Sequence, residues 1–157
     1  MNRDEILAAL KDSRAQMEAA LAGLSETQLV EPGVMGDWSI KDLLSHLTAW
    51  EAEAVTRLAK MKAGKKISRL VPEDSTIDSL NAKWYQENKD RPVDRVLADF
   101  RGVREQMIRQ VEGLTDKQLA QPLPWSETNS FTNLIAWNTY EHEPEHAAQI
   151  QKWRTNL

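Results

Sequence analysis

Residues 3–32, RDEILAALKDSRAQMEAALAGLSETQLVEP, are written a second time at residues 93–122, VDRVLADFRGVREQMIRQVEGLTDKQLAQP. The two stretches share 11 identities in 30 positions, where composition alone gives roughly two. Among the matches are Arg14 with Arg104, Met17 with Met107, Gly23 with Gly113, Gln28 with Gln118 and Pro32 with Pro122. Allowing one inserted residue, Ser39, Ile40, Leu43 and Leu44 continue the match at Ser130, Phe131, Leu134 and Ile135. The chain therefore reads as two helix pairs related by a pseudo-twofold axis. Two repeats of this size make one all-α four-helix bundle with short connecting helices, not a solenoid.

The helix boundaries follow from local chemistry. Asn2 with Glu5, and Ser25 with Gln28, have the spacing of capping boxes. Ile6, Leu10, Met17 and Leu21 recur at helical spacing, and Gly23 ends that helix in the left-handed region. Ser39 opens a second long helix with the apolar stripe Ile40, Leu43, Leu44, Leu47, Ala54 and Leu58, closed at Gly64. A short helix spans Ile77 to Trp84. Pro92 belongs at the first turn of a third long helix, from about Val93 to Glu112. A fourth long helix starts at Ser130 and carries Phe131, Leu134, Ile135, Trp137, Tyr140, Ala147, Ile150 and Trp153.

At 157 residues, 41% apolar and 28% charged, the chain suits one domain over residues 1–157. A net charge of −4 gives no basic footprint, so no nucleic-acid partner is expected. The absence of cysteine excludes disulfides, thiolate metal sites and a cysteine nucleophile. The sequence shows neither the apolar run of a signal peptide nor a stretch of membrane-spanning length, so a cytoplasmic protein with no membrane contact is expected.

The chemistry concentrates in Tyr140-Glu-His-Glu-Pro-Glu-His-Ala-Ala-Gln-Ile150. His142 and His146, four apart, share one helix face. The only other histidine, His46, lies beside Leu43 and Leu47 at the edge of a buried stripe. Converging, the three would form a three-nitrogen metal site with open positions, the pattern of catalytic rather than structural sites. Read plainly instead, Glu141, Glu143 and Glu145 make a solvated acidic face and His46 is simply packed. Repeat symmetry does not account for the histidines: it aligns His46 with Trp137, His142 with Glu51 and His146 with Val55. Pro144, between the late histidines, forbids a regular helix there, and a kink or bulge would free the Tyr140 carbonyl and re-aim His142.

Imidazole donors suit zinc, nickel or iron. Glu143 or Glu145 is placed to orient an imidazole or to act as base. Trp38, Trp50, Trp84, Trp125 and Trp137 are candidates for an aromatic wall, with Trp50, Trp137 and Tyr140 the candidate substrate contacts. No serine–histidine–acid arrangement or phosphate-binding loop is present.

Gly36-Asp-Trp-Ser-Ile-Lys-Asp-Leu-Leu-Ser-His46-Leu and His142-x-x-x-His146-x-x-Gln149-Ile resemble the signature of the DinB-like (YfiT-like) metalloproteins. Leu80-Asn81, Tyr85-x-x-Asn88-Lys-Asp-Arg-Pro92 and Asn138-Thr-Tyr-Glu-His142 are similar to the ClbS/DfsB branch, and the likeness runs from about residue 3 to 154. The resemblance implies a four-helix bundle in which His46, His142 and His146 hold a divalent metal, zinc or nickel. It further implies a hydrolase or thiol-dependent transferase acting on a small organic molecule, with a low-molecular-weight thiol as co-substrate, in a homodimer. A non-catalytic small-molecule binder and a structural or oligomerisation bundle are the alternatives.

Overall fold

The computed structural model describes residues 1–157 as eight helices with no β-sheet. They are α1 (Arg3–Leu21), α2 (Glu26–Val30), α3 (Ile40–Lys62), α4 (Ile77–Asn88), α5 (Val93–Glu112), α6 (Asp116–Leu119), α7 (Phe131–Asn138) and α8 (Glu143–Thr155). α1, α3, α5 and the α7–α8 pair form the bundle. α3 packs along α5, α1 along α8, and α4 lies against α3.

The repeat is visible in the caps. Ser25 Oγ accepts the Gln28 N–H at 3.2 Å, and Thr115 Oγ1 accepts the Gln118 N–H at 3.1 Å. Asp42 Oδ2 accepts the Ser39 N–H at 2.9 Å, and Asn133 Oδ1 accepts the Ser130 N–H at 2.8 Å. Each satisfies helix-terminal donors that would otherwise be unpaired. Gly23 is left-handed, at φ +77°, whereas its repeat mate Gly113 ends α5 at φ −84°.

The last helix departs from the expectation of one continuous element from Ser130 to Trp153. It is broken at residues 139–142. The Glu141 N–H reaches back five residues to the Ala136 carbonyl at 2.9 Å, and the Glu143 N–H bonds the Thr139 carbonyl at 2.8 Å. Pro144 then becomes the second residue of α8, where its missing N–H has no intrahelical acceptor to lose. The proline ends one helix and starts another.

Two apolar clusters fill the bundle. One gathers Ile6, Leu10, Leu58, Met107, Phe131 and Leu134; the other gathers Met17, Leu43, Leu44, Val96, Phe100 and Ile150. Along each long helix the change from one cluster to the other falls at or beside a buried or half-buried charge: Arg14, Glu51, Arg104 or Glu143.

Candidate functional site

The charged layer follows the pseudo-twofold axis in its main contacts. Arg14 Nε meets Glu143 Oε1 at 2.7 Å and Arg104 Nε meets Glu51 Oε1 at 2.6 Å. Arg14 Nη2 meets Glu51 Oε2 at 3.4 Å and Arg104 Nη2 meets Glu143 Oε2 at 2.8 Å. Arg14 Nη1 donates to the Phe100 carbonyl at 2.9 Å and Arg104 Nη1 to the Leu10 carbonyl at 2.7 Å. Arg14 also lies over the Phe100 ring, 3.7 Å from its centroid, a cation–π contact. Glu51, Arg104 and Glu143 are all buried. Burial works to lower the Arg104 pKa, but Glu51 and Glu143 outweigh it and raise the guanidinium above its ordinary range.

This symmetry corrects the alignment made from the sequence. Glu51 corresponds to Glu143, an offset of 92, whereas Arg14 and Arg104 are 90 apart. The extra residue is absorbed by the wide turn at Glu141. His142 therefore falls opposite Trp50 and His146 opposite Ala54. The conclusion that the symmetry does not supply the histidines stands.

The three histidines meet on the outer side of this layer. Their ligating nitrogens all lie within 4.8 Å of one another. His46 Nε2 is 3.1 Å from His142 Nε2, and His146 Nε2 is 3.2 Å from it. His46 comes from the first half of α3, His142 caps α8, and His146 sits in its first turn. His146 Nδ1 lies 2.7 Å from Gln149 Oε1, so the proton sits on Nδ1 and the lone pair on Nε2 faces the group. His46 Nδ1 is buried without a hydrogen-bond partner, and the neighbouring Asn81 Oδ1 accepts the Trp50 Nε1–H at 2.8 Å.

Burial, then repulsion from His142 and His146, pushes the His46 pKa from 6.5 down to about 3. Burial, then repulsion from His146, pushes His142 down to about 4. Both are neutral at pH 7. Since the unfolded histidines protonate near 6.5, the unfolded state takes up more protons below that pH, and stability falls as the pH drops from 6.5 towards 4. In urea titrations of metal-free protein at pH 7.5, 6 and 5, the wild type is expected to lose more stability than a His46→Asn/His142→Asn variant. Parallel losses would contradict the burial of these rings.

A wall of aromatic side chains covers His46. Trp38 meets it edge-on at 5.4 Å and stacks on Tyr85 at 5.7 Å and 4°. Trp50 and Trp84 meet edge-on at 4.8 Å. The motif from Asn81 to Pro92 fastens this wall in place. Asn88 Nδ2 donates to the Trp84 carbonyl at 2.7 Å, Lys41 Nζ donates to the Lys89 carbonyl at 2.6 Å, and Arg91 pairs with Asp99 at 2.6 Å. The cleft between Trp38, His46, Asn81 and Tyr85 measures about 10 Å³, room for about one water. α4 has no buried residue of its own, which makes it the element most easily displaced.

The other expected site residues fall elsewhere. Trp137 is 45% exposed. Tyr140 packs on the core beside the break and turns its hydroxyl to Met1 Sδ at 3.7 Å. Glu145 is exposed. Glu143 has both carboxylate oxygens on arginines, and the imidazole partner is Gln149 instead. Gln149 stood in the quoted motif, and Arg14 and Arg104 stood among the repeat identities, so their signals were present in the sequence.

A helical bundle with three inward-facing imidazoles on its second and last long segments is the class this chain defines. The DinB superfamily matches residues 2–150, and the chain belongs to it. None of the curated proteins matches. The colibactin self-resistance protein ClbS in complex with dsDNA superposes with a TM-score of 0.86 at 18% identity, covering 99% of this chain and 97% of that one. DfsB, a sibling lethal factor precursor, gives 0.84 at 15%, covering 99% and 96%. An uncharacterised protein from Escherichia coli UTI89 gives 0.85 at 19%, covering 99% and 94%. These likenesses establish the shared fold.

The ClbS complex overturns the expectation that nucleic acid is excluded. Net charge averages over the whole surface, whereas a duplex meets one face of it. In this chain residues 54–72 hold six lysines and arginines and no carboxylate. No helix is long and apolar enough to cross a membrane.

Proposed function

We propose that this chain binds a divalent metal, zinc or nickel, through His46, His142 and His146 and acts there on a small organic molecule. The observation that carries the reading is the convergence of three imidazoles. Two of the three nitrogen pairs, at 3.1 and 3.2 Å, are spaced as ligands of one ion would be, and all three nitrogens lie within 4.8 Å of one another. The donor set is all-nitrogen and Gln149 fixes one ring, as outer partners of metal-bound histidines do. A metal so held would supply Lewis acidity and an acidified water or thiol, the basis for hydrolase or thiol-dependent transferase chemistry.

The chain's own residues supply binding and exclusion of water. Trp38 meets His46 edge-on, and Trp84 and Tyr85 line the narrow cleft beside it. Glu143 and Glu145 do not serve as a base: one is locked in ion pairs and the other faces solvent. The test is elemental analysis of protein purified without a histidine tag. About one metal per chain is expected, and protein that takes up neither zinc nor nickel on reconstitution sinks the reading.

A second reading has its own observation. Lys60, Lys62, Lys65, Lys66 and Arg69 are all exposed at the end of α3 and in the loop after it. Buried Arg57 pins that loop, donating to the Ser68 and Arg69 carbonyls at 2.8 and 2.7 Å. Such a fixed basic surface suits a duplex phosphate backbone, as the ClbS–dsDNA complex suggests for this fold. Fluorescence anisotropy with a labelled duplex should give salt-sensitive binding with Kd on the order of 10⁻⁴–10⁻⁶ M. Charge reversal at Lys62, Lys65, Lys66 and Arg69 should abolish it. Binding that survives the reversal, or none at low salt, rejects this surface.

A further inference from the structure

We infer that Glu143 is a positioning residue: clamped by Arg14 and Arg104, it fixes the direction in which α8 leaves the break at 139–142 and so aims His142 and His146 at His46. The argument comes from the unequal settings of two symmetric carboxylates. Glu51 and Glu143 are each bonded by both guanidiniums, Glu51 through three contacts and Glu143 through two. Glu51 lies inside α3, a continuous helix of 23 residues, whose course is set by its own ladder of backbone bonds on both sides. Glu143 is the first residue of α8, and the ladder before it is interrupted.

What holds the start of α8 is correspondingly thin. The Glu143 N–H bonds the Thr139 carbonyl at 2.8 Å and the His142 N–H bonds the same carbonyl at 3.0 Å. Thr139 is itself tied to α7 through its hydroxyl, at 2.6 Å from the Ile135 carbonyl. The Glu143 side chain adds the only ion-paired anchor in this segment, to α1 through Arg14 and to α5 through Arg104. His142 is its immediate neighbour and His146 lies one turn further on, so a rotation of α8 about this anchor moves both rings together. The same buried layer thus acts as plain structure on the α3 side and as a sight for the histidines on the α8 side.

The consequence for metal affinity rests on the reading above; the consequence for ring geometry does not. Symmetry provides the control: Glu51→Gln and Glu143→Gln remove equivalent charges from one layer and should lower Tm similarly. With folding checked by near-UV circular dichroism, Glu143→Gln is expected to weaken zinc binding about 10–100-fold, the range for a lost outer partner, and Glu51→Gln by no more than about threefold. Independently of metal, the three histidines give three Cε1–H cross-peaks in a ¹H–¹³C spectrum. The contact between the His46 and His142 rings, 4.9 Å apart, should vanish in Glu143→Gln and persist in Glu51→Gln. If Glu143→Gln does not fold, Arg14→Gln serves, because it sits at the edge of the layer and removes one of the two guanidiniums on Glu143. Equal behaviour of the paired variants, or unchanged ring contacts in folded Arg14→Gln, overturns the assignment. Failure of wild-type protein to bind metal counts against the metal reading alone, since the ring contacts still decide this one.

Discussion

Replacing Arg104 by alanine lowers the free energy of unfolding by about 3–5 kcal/mol, the loss expected when one partner of a buried ion network is removed. Arg104 is 3% exposed and gives bonds to Glu51, Glu143, the Leu10 carbonyl at 2.7 Å and Ser13 Oγ at 3.2 Å. Without it two buried carboxylates share one arginine, and the Leu10 carbonyl loses one of its donors. For a chain of this size the loss should appear as a Tm lower by about 10 °C. The comparison is Arg101, which grips Glu18 with two bonds of 2.9 and 3.1 Å but whose side chain is 52% exposed. A surface pair contributes about 0–1 kcal/mol, so Arg101→Ala should change little by calorimetry or urea titration. Similar small losses for both would show that water reaches the charged layer and that it does not divide the core.

The sequence told most where interactions were local. The caps at Asn2, Ser25 and Ser39 depend on residues three apart, and all three form as read. The bounds of α5 followed from Pro92, whose missing N–H marks a start, and from Gly113. The last helix was harder. Pro144 announced a disturbance, but choosing between a kink, a bulge and a full break depends on where the Glu143 carboxylate goes. That is decided by arginines 129 and 39 residues away in the chain. Glu143 looked like its neighbours Glu141 and Glu145, yet it alone of the three is buried. The identity of Arg14 with Arg104 was visible as repetition, while its partners Glu51 and Glu143 were hidden by the one-residue slip at the break. Trp137, read as a pocket wall, is 45% exposed at the end of α7. The nucleic-acid expectation failed for a different reason, because a sum of charges does not record the basic run at residues 57–69.

If the three histidines hold a metal as proposed, removing His142 should abolish the metal response without weakening the metal-free protein. In the wild type, three desolvated rings crowd their Nε2 atoms at 3.1 and 3.2 Å. With the His146 proton held on Nδ1 by Gln149, His142 Nε2–H can donate to one neighbour only, leaving another lone pair opposed to it. This arrangement is poor for stability and apt for a cation. Metal present at a thousandfold over Kd should raise the free energy of unfolding by about 4 kcal/mol, which at 2–4 °C per kcal/mol is a Tm rise of about 10 °C. His142→Ala relieves the crowding and leaves two donors on different helices, so its metal-free Tm should equal or exceed the wild-type value. Its Tm rise with zinc or nickel should disappear, with affinity falling by more than the roughly 10–100-fold typical of losing an outer partner. His46→Ala should behave alike, since its nitrogen comes from α3 and no other imidazole can replace it. A His142→Ala protein that keeps the full metal-dependent shift would place the ion elsewhere. A metal-free variant that is far less stable than the wild type would make the three rings a packing element, maintained for the core and not for a ligand.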